Sequence, residues 1–409
     1  MRIGFVTAFP PGRNSLNEYG YHFARALSAN DHVEEVVVFA DQTTAGEPLD
    51  VPSTVAETVW KFNSLTNIAS ITRAVRASKV DAVIFNLQFA TFGDTKVAGG
   101  LGLLTPAVTK ALGVPTGVIL HNLVENVDMQ DAGFTGSTLM AKVMETAGRL
   151  LTKSLLRADY VSLTIPRYVE MIRESYGADN AILSPHGSFE EIATPSFAVP
   201  DGPPQLLAFG KWGTYKTVDV LVDAYRELLS RGHSDLEVVI AGSDSPNSPG
   251  YLDQVASSCD DLPGVRFTGY VSEDDVPQIF SDATAVVFPY TSTTGSSGVL
   301  HQAGSYGRAA VLPEIGDFVE VIEEEGFRGE YFVPDDAASL ADATERVLDD
   351  PIHRVELGQR NFAASAGIAL SDVVDWHVIH MQRLIAAATT ADRSQSMATK
   401  AATSMEPVA

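Results

Sequence analysis

Residues 206–228 read LLAFGKWGTYKTVDVLVDAYREL. Gln205–Phe209 is a short, largely apolar run of the kind that suits a strand covered on both faces. Gly210 and Lys211 close that run, Lys216 follows, and Val218–Ser230 carries its apolar residues at helical spacing. Strand, loop and amphipathic helix together are the repeating unit of a parallel α/β sheet, because a parallel neighbour is reached only through a crossover.

The same alternation extends in both directions. Downstream, Glu237–Ala241, Val265–Thr268, Ala285–Phe288 and Ala309–Leu312 read as strands. Upstream, Ile3–Ala8, Glu34–Phe39, Ala82–Phe85, Thr116–Leu120 and Tyr160–Thr164 do the same, with a helix over Glu18–Leu27. Between the two series, Glu190 to Pro204 holds Pro195, Pro200, Pro203 and Pro204 with little periodicity, as a linker would. The expected organisation is therefore two doubly wound α/β domains, 1–189 and 205–370, joined by 190–204. A C-terminal helix over 371–386 would pack back on the first domain, and the small polar tail 387–409 reads as disordered.

Composition limits the function classes. The chain has 409 residues, 45% of them hydrophobic and 20% charged, which is ordinary globular usage. One cysteine, Cys259, permits neither an internal disulfide nor a thiolate zinc site. The net charge is -24, with 28 bases of which only nine are lysine. Such a surface repels phosphate backbones at long range, which argues against nucleic acid as a partner. It suits either a saline cytoplasm or simply an acidic soluble enzyme. The first residues, MRIGFVTA, read as a buried strand rather than a leader, and Val97–Leu120 is interrupted by Thr105, Pro106, Lys110 and Pro115. A cytoplasmic protein, soluble or peripheral to the membrane's inner face, is expected.

Ligands of open α/β sheets bind beyond the carboxyl ends of the strands. At those ends lie Gly12 in PPGRNSLNEYG, His121-Asn122, Gly210-Lys211 with Lys216, and Thr294-Gly295-Ser296-Ser297-Gly298-Val299-Leu300 entering a helix. A glycine-serine run at a helix N-terminus offers backbone N–H groups to an anion, and two lysines would add positive charge. Solvated turn lysines beside a flexible loop are the plainer alternative.

The ordered series LLAFGKWGTYKTVDVLVDAYREL, LEVVIAGSDSP, VRFTGYVSEDDVPQIFSDATAVVFPY and TTGSSGVLHQAGSYGRAAVLPEIGD resembles the C-terminal domain of glycosyltransferase family 4. In the first half, NEYGYHFARAL, GVILHN and ILSPHG are similar to that family too, so the resemblance spans about 1–350. It implies a GT-B architecture, two Rossmann-like domains facing across a cleft. It also implies a retaining transfer of a hexose from a UDP- or GDP-linked sugar to a saccharide, glycan or glycolipid hydroxyl, without metal or other cofactor. Lys211 and Lys216 would hold the donor diphosphate, His121 would lie near the donor sugar, and Gly12, Gly210, Thr294, Gly295, Ser296, Ser297, Gly298, Val299 and Gln302 would contact the donor. The family's two donor-loop glutamates fall here on Thr294 and Gln302, which carry no charge. Gln302 retains hydrogen-bonding capacity for a ribose. An epimerase or hydrolase on the same fold, or a non-catalytic sugar-nucleotide-binding subunit, are the competing functions.

Other residues carry two readings each. His186 is a hinge-side contact or a turn residue, and His301 reads as structural. Glu314, Gly316 and Asp317 follow a strand and face either a ligand or solvent. The pairs Asp260-Asp261, Asp274-Asp275, Asp335-Asp336 and Asp349-Asp350 read as helix N-terminal charges rather than metal ligands. Lys142, Arg149, Lys153 and Arg157 fall on one apparent helix, as a solvated face or as a dock for an anionic acceptor or a membrane surface. If the acidic surface is an adaptation to salt, the melting temperature should rise between dilute and molar KCl as repulsion is screened. A flat or falling melting curve would count against that adaptation.

Overall fold

The computed structural model describes residues 1–403 except 13, 15, 44–49, 123–137, 190–193, 199–200, 246–247, 273 and 293–296, with side chains outside 138–145, 317 and 391–403. The chain packs as two units. The first takes the described residues within Met1–Val124, Val143–Ser184 and Ser371–Ala409, and the second those within Glu125–Lys142 and Pro185–Leu370.

Among the described residues, the first unit's sheet comprises β1 (Arg2–Val6), β2 (Glu35–Asp41), β3 (Thr54–Trp60), β4 (Ala82–Leu87), β5 (Thr116–Leu120), β6 (Tyr160–Leu163) and β7 (Ala181–Leu183). All pair in parallel, in the order β3-β2-β1-β4-β5-β6-β7. The second sheet is built from β8 (Gln205–Trp212), β9 (Glu237–Asp244), β10 (Val265–Gly269), β11 (Ala285–Val287), β12 (Ala309–Pro313) and β13 (Glu330–Phe332). It too is parallel, in the order β10-β9-β8-β11-β12-β13. Both are Rossmann-like sheets. The apolar runs are the buried central strands: every residue of β4, β5, β11 and β12 is buried. Burial on both faces is what removes alternation from such strands.

Three strands escape the sequence reading for a physical reason. β3 is an edge strand in which Trp60 alone is buried, and β7 and β13 are three residues each, too short for a pattern. β8 also runs past the expected Phe209, because Gly210, Lys211 and Trp212 continue the register against Gly242, Ser243 and Asp244. The Trp212 indole N–H closes that end on the Ala241 carbonyl at 2.9 Å.

The C-terminal helix spans Leu370–Thr403, longer than the 371–386 expected and reaching into the stretch read as disordered. It packs on the first unit through a buried polar contact. His377 is fully buried, with Nδ1 2.8 Å from the Tyr160 hydroxyl and Nε2 3.0 Å from Ser184 Oγ. Asn30 Nδ2 donates to Asp375, two residues earlier, at 2.6 Å.

Burial, with His380 beside it, pushes His377 down from 6.5 to about 3. The folded state therefore holds this ring neutral while the unfolded chain protonates it below about 6.5. Its contribution to stability is complete above that pH and is lost as pH falls towards 3. Each pH unit in that window should remove up to about 1.4 kcal/mol of unfolding free energy on account of this one group. His377→Gln should be less stable at pH 7 and should lose stability less steeply on acidification. Urea titrations from pH 7 to 4 that gave parallel slopes for the two proteins would contradict this account.

Candidate functional site

In the second unit the strand order reverses between β8 and β11, and the chemistry-bearing residues collect beyond that reversal. The turn after β8 is closed by Gly213 N donating to Lys216 O at 2.9 Å. It docks on the segment after β11, where Lys216 bridges to Tyr290 and Thr291 N donates to Tyr215 O at 3.0 Å. This docking sets the Lys216 ammonium 4.5 Å from the centre of the Tyr290 ring. Tyr290 is buried, its hydroxyl faces Ser297, and burial raises that hydroxyl well above the usual phenol range. The ring stays neutral with its π face towards the cation, an attraction worth about 1 kcal/mol at a partly exposed site.

The helix Gly298–Ser305 begins beside this pair. Ser297 caps it, accepting from Leu300 N at 3.4 Å. First-turn N–H groups lack intrahelical carbonyl partners and carry partial positive charge, so an anion near Lys216 would meet a second electropositive group here. A Cβ at Gly298 would lie 3.1 Å from His186 Cε1, so glycine is what lets the helix start close over that ring. His186 stacks on His301 at 5.5 Å. His301 is in turn held between the Glu325 carboxylate, 3.2 Å from Nε2, and Ser188 Oγ, 3.1 Å from Nδ1. Ser365 Oγ then donates to the His301 carbonyl at 2.9 Å and lies 2.7 Å from Ser305 Oγ. A buried polar network thus fixes the orientation of the helix start.

In the first unit the order reverses between β1 and β4. Gly12 lies in the loop after β1, its N–H donating to Phe9 O at 3.0 Å. The loop is anchored by Asp41, at the end of β2, which accepts from Phe9 N at 2.9 Å and from the Asn14 amide. His121 follows β5, its N–H on Leu87 O at 3.0 Å and its Nε2 2.7 Å from Asn86 Oδ1. Tyr19 meets the imidazole edge-on at 4.5 Å. Burial pushes His121 down from 6.5 to about 3, so the ring is neutral at physiological pH.

The second unit therefore brings together Lys216, Ser297, Gly298 and Val299. Gln302 lies on the same helix and is buried, 6% exposed. Gly210 and Lys211 sit within β8 rather than in a loop, paired with Gly242 and Ser243. Gly12 and His121 belong to the first unit. Thr294, Gly295 and Ser296 fall outside the described residues, as does the Lys142 side chain. Arg149 and Lys153 are exposed on the helix Thr138–Leu155, while Arg157 is exposed just past its end. Glu314 is exposed at the end of β12. Among the paired acids, Asp336 and Asp350 cap helices and Asp261 pairs with Arg226 at 3.1 Å.

Sequence reasoning did not single out Thr7, Asn86 or Asp41. The available signal was a polar residue inside or ending an otherwise apolar strand, as in AVIFNL over β4.

Residues 203–350 match the family model described as Glycosyl transferases group 1, so the match falls on the second unit. Structural likeness extends further. Sucrose-phosphate synthase from Thermosynechococcus elongatus superposes with a TM-score of 0.74 at 16% identity, over 95% of this chain and 100% of that one. Anabaena HepE, solved with UDP and glucose, gives 0.67 at 16% identity over 94% and 100%. The fold is GT-B. In sequence, an α-D-kanosaminyltransferase from Streptomyces kanamyceticus is 31% identical over 160 residues, 39% of this chain. That match spans 40% of the kanosaminyltransferase's own length. Among the described residues, no helix is long and apolar enough to cross a membrane.

If Lys216 and the capped helix start form one anion site, inorganic pyrophosphate should raise the melting temperature of this protein. Tyr290→Phe keeps the π face and should bind pyrophosphate as the wild type does. Tyr290→Leu should weaken binding roughly fivefold, the equivalent of about 1 kcal/mol. Equal affinity in all three proteins would separate Tyr290 from the cation's placement.

Proposed function

We propose that the protein is a glycosyltransferase that uses a nucleotide sugar, moving a hexose from a UDP- or GDP-linked donor to a hydroxyl of a saccharide, glycan or glycolipid. The observation that carries the reading is the convergence, beyond the β8/β11 reversal, of the Lys216 ammonium and the capped start of the helix Gly298–Ser305. It is supported by the group 1 match over the same unit and by the fold shared with a protein solved with UDP and glucose. On this reading the second unit would hold the donor.

On this reading the barrier falls because charge building on the departing diphosphate meets preorganised positive groups: Lys216, Lys211 and the N–H groups of the helix start. Each well-placed group of that kind is typically worth about 3–4 kcal/mol. Retention of anomeric configuration follows from the family 4 resemblance. No metal and no cofactor beyond the donor would be needed, since lysines and backbone dipoles supply the countercharge. The exposed Arg149, Lys153 and Arg157, with Leu150 62% exposed among them, suit a peripheral contact with an anionic acceptor or the cytoplasmic face of a membrane.

A second reading, a subunit that binds nucleotide sugars without transferring them, draws on the uncharged Thr294 and Gln302 where the family places glutamates.

Labelled UDP- and GDP-hexoses, with and without acceptor sugars, separate the two. Transfer product would support the first, and binding without product the second. Lys216→Ala and Lys211→Ala should each lower turnover on the order of a hundredfold with the fold intact. Gln302→Ala should raise the donor dissociation constant several-fold with little change in the chemical step, while Gln302→Glu should be tolerated. Wild-type turnover in both lysine variants would remove the diphosphate assignment.

A further inference from the structure

Three side chains from three neighbouring strand ends form a chain across the carboxyl edge of the first sheet, at its reversal of order. Thr7 follows β1, Asn86 lies near the end of β4, and His121 follows β5. The Thr7 hydroxyl donates to the Ala8 carbonyl at 2.9 Å. Asn86 Nδ2 donates to Thr7 Oγ1 at 2.9 Å, and Asn86 Oδ1 lies 2.7 Å from His121 Nε2. Thr7 and Asn86 are completely buried, so each proton in the chain must be accounted for.

Thr7 has a single hydroxyl proton, and the Ala8 carbonyl can only accept. With that proton spent on Ala8, Thr7 Oγ1 can only accept, so it must face the amide nitrogen of Asn86. The carboxamide oxygen then points at His121, and an oxygen there requires a proton on Nε2. Reversing the carboxamide would draw the Thr7 proton away from Ala8 and leave a buried carbonyl without it, which is unfavourable.

We propose that Thr7 and Asn86 are positioning residues that lock His121 as the neutral Nε2–H tautomer. Nδ1 is then the ring's acceptor nitrogen, and whatever it meets must donate a hydrogen bond. The ring therefore suits a hydroxyl and not a phosphate oxygen. Its use on a sugar hydroxyl rests on the glycosyltransferase reading; the tautomer itself does not.

The surroundings are built to keep the chain in place. A Cβ on Gly20 would lie 2.4 Å from Thr7 Oγ1 and 2.5 Å from the Ala8 carbonyl oxygen, so glycine lets the helix Asn17–Ala29 close over the relay. The neighbouring residue of that helix, Tyr19, packs its ring edge-on against the imidazole. Burial holds the Tyr19 hydroxyl above the usual phenol range, so the aromatic group against His121 carries no charge.

The test reads the nitrogen atoms directly. In protein labelled with 15N-histidine, with His121 assigned by its loss in His121→Gln, long-range 1H–15N spectra at pH 7 should show Nε2 protonated and Nδ1 bare. An Nδ1–H tautomer, or an imidazolium, in the wild type would overturn the proposal whether or not the protein turns over any sugar. Thr7→Val keeps the shape and removes the hydroxyl, so His121 should show mixed tautomers, and Thr7→Ser should restore the single one. If donor turnover is found, Thr7→Val should lower kcat about tenfold with the donor KM little changed, and Thr7→Ser should recover it. Should Thr7→Val fold with a wild-type tautomer, the relay does not govern His121. Asn86→Asp offers a second route if Thr7→Val fails to fold: a carboxylate facing Nε2 should raise the His121 pKa by more than a unit. An unmoved titration would remove Asn86 from contact with the ring.

Discussion

Parallel strands covered on both faces make an unpaired polar atom costly, and that constraint decides where chemistry can sit in this protein. Polar side chains are driven to the carboxyl edges of the sheets, and one that remains buried is costly to leave unbonded. The edge where the strand order reverses is the one place where two neighbouring connections leave in opposite directions and open the backbone to a ligand. Lys216, Tyr290 and the Gly298–Ser305 helix gather at one reversal, and Thr7 and Asn86 at the other, with His121 one strand further on.

Charge follows the same logic at a different scale. A protein of net charge -24 cannot attract a diphosphate through its overall field. It can still bind one through close contacts, because screening confines surface repulsion to roughly 8–10 Å in ordinary buffers. Several arginines are occupied elsewhere: Arg231 with Asp342 and Glu345, and Arg226 with Asp223 and Asp261. Lys216 over the Tyr290 ring is held by an aromatic face instead of a carboxylate, which leaves its charge uncancelled by an acid at that contact.

The histidines show how burial assigns roles to one residue type. His377 is a neutral bridge that fastens the C-terminal helix to β6 and to Ser184. His301 joins a helix start to Glu325 and Ser188, and His121 closes a proton chain that begins at a backbone carbonyl. Each is specified by the hydrogen bonds around it rather than by its neighbours in sequence.

The sequence by itself determined the two-domain α/β organisation, because apolar runs alternating with amphipathic helices have few other ways to be buried. It also located the lysine turn and the glycine-serine helix start, since both follow predicted strand ends. It did not reveal β3, β7 or β13, whose exposure or brevity erases periodicity, nor the extension of β8 through Lys211. Tertiary structure alone decided that Thr7, Asn86 and His121 would meet, since their separations in sequence are 79 and 35 residues. Pattern reading sees spacing along one element. A hydrogen-bond chain across three strands exists only once the sheet's order and register have placed their ends side by side.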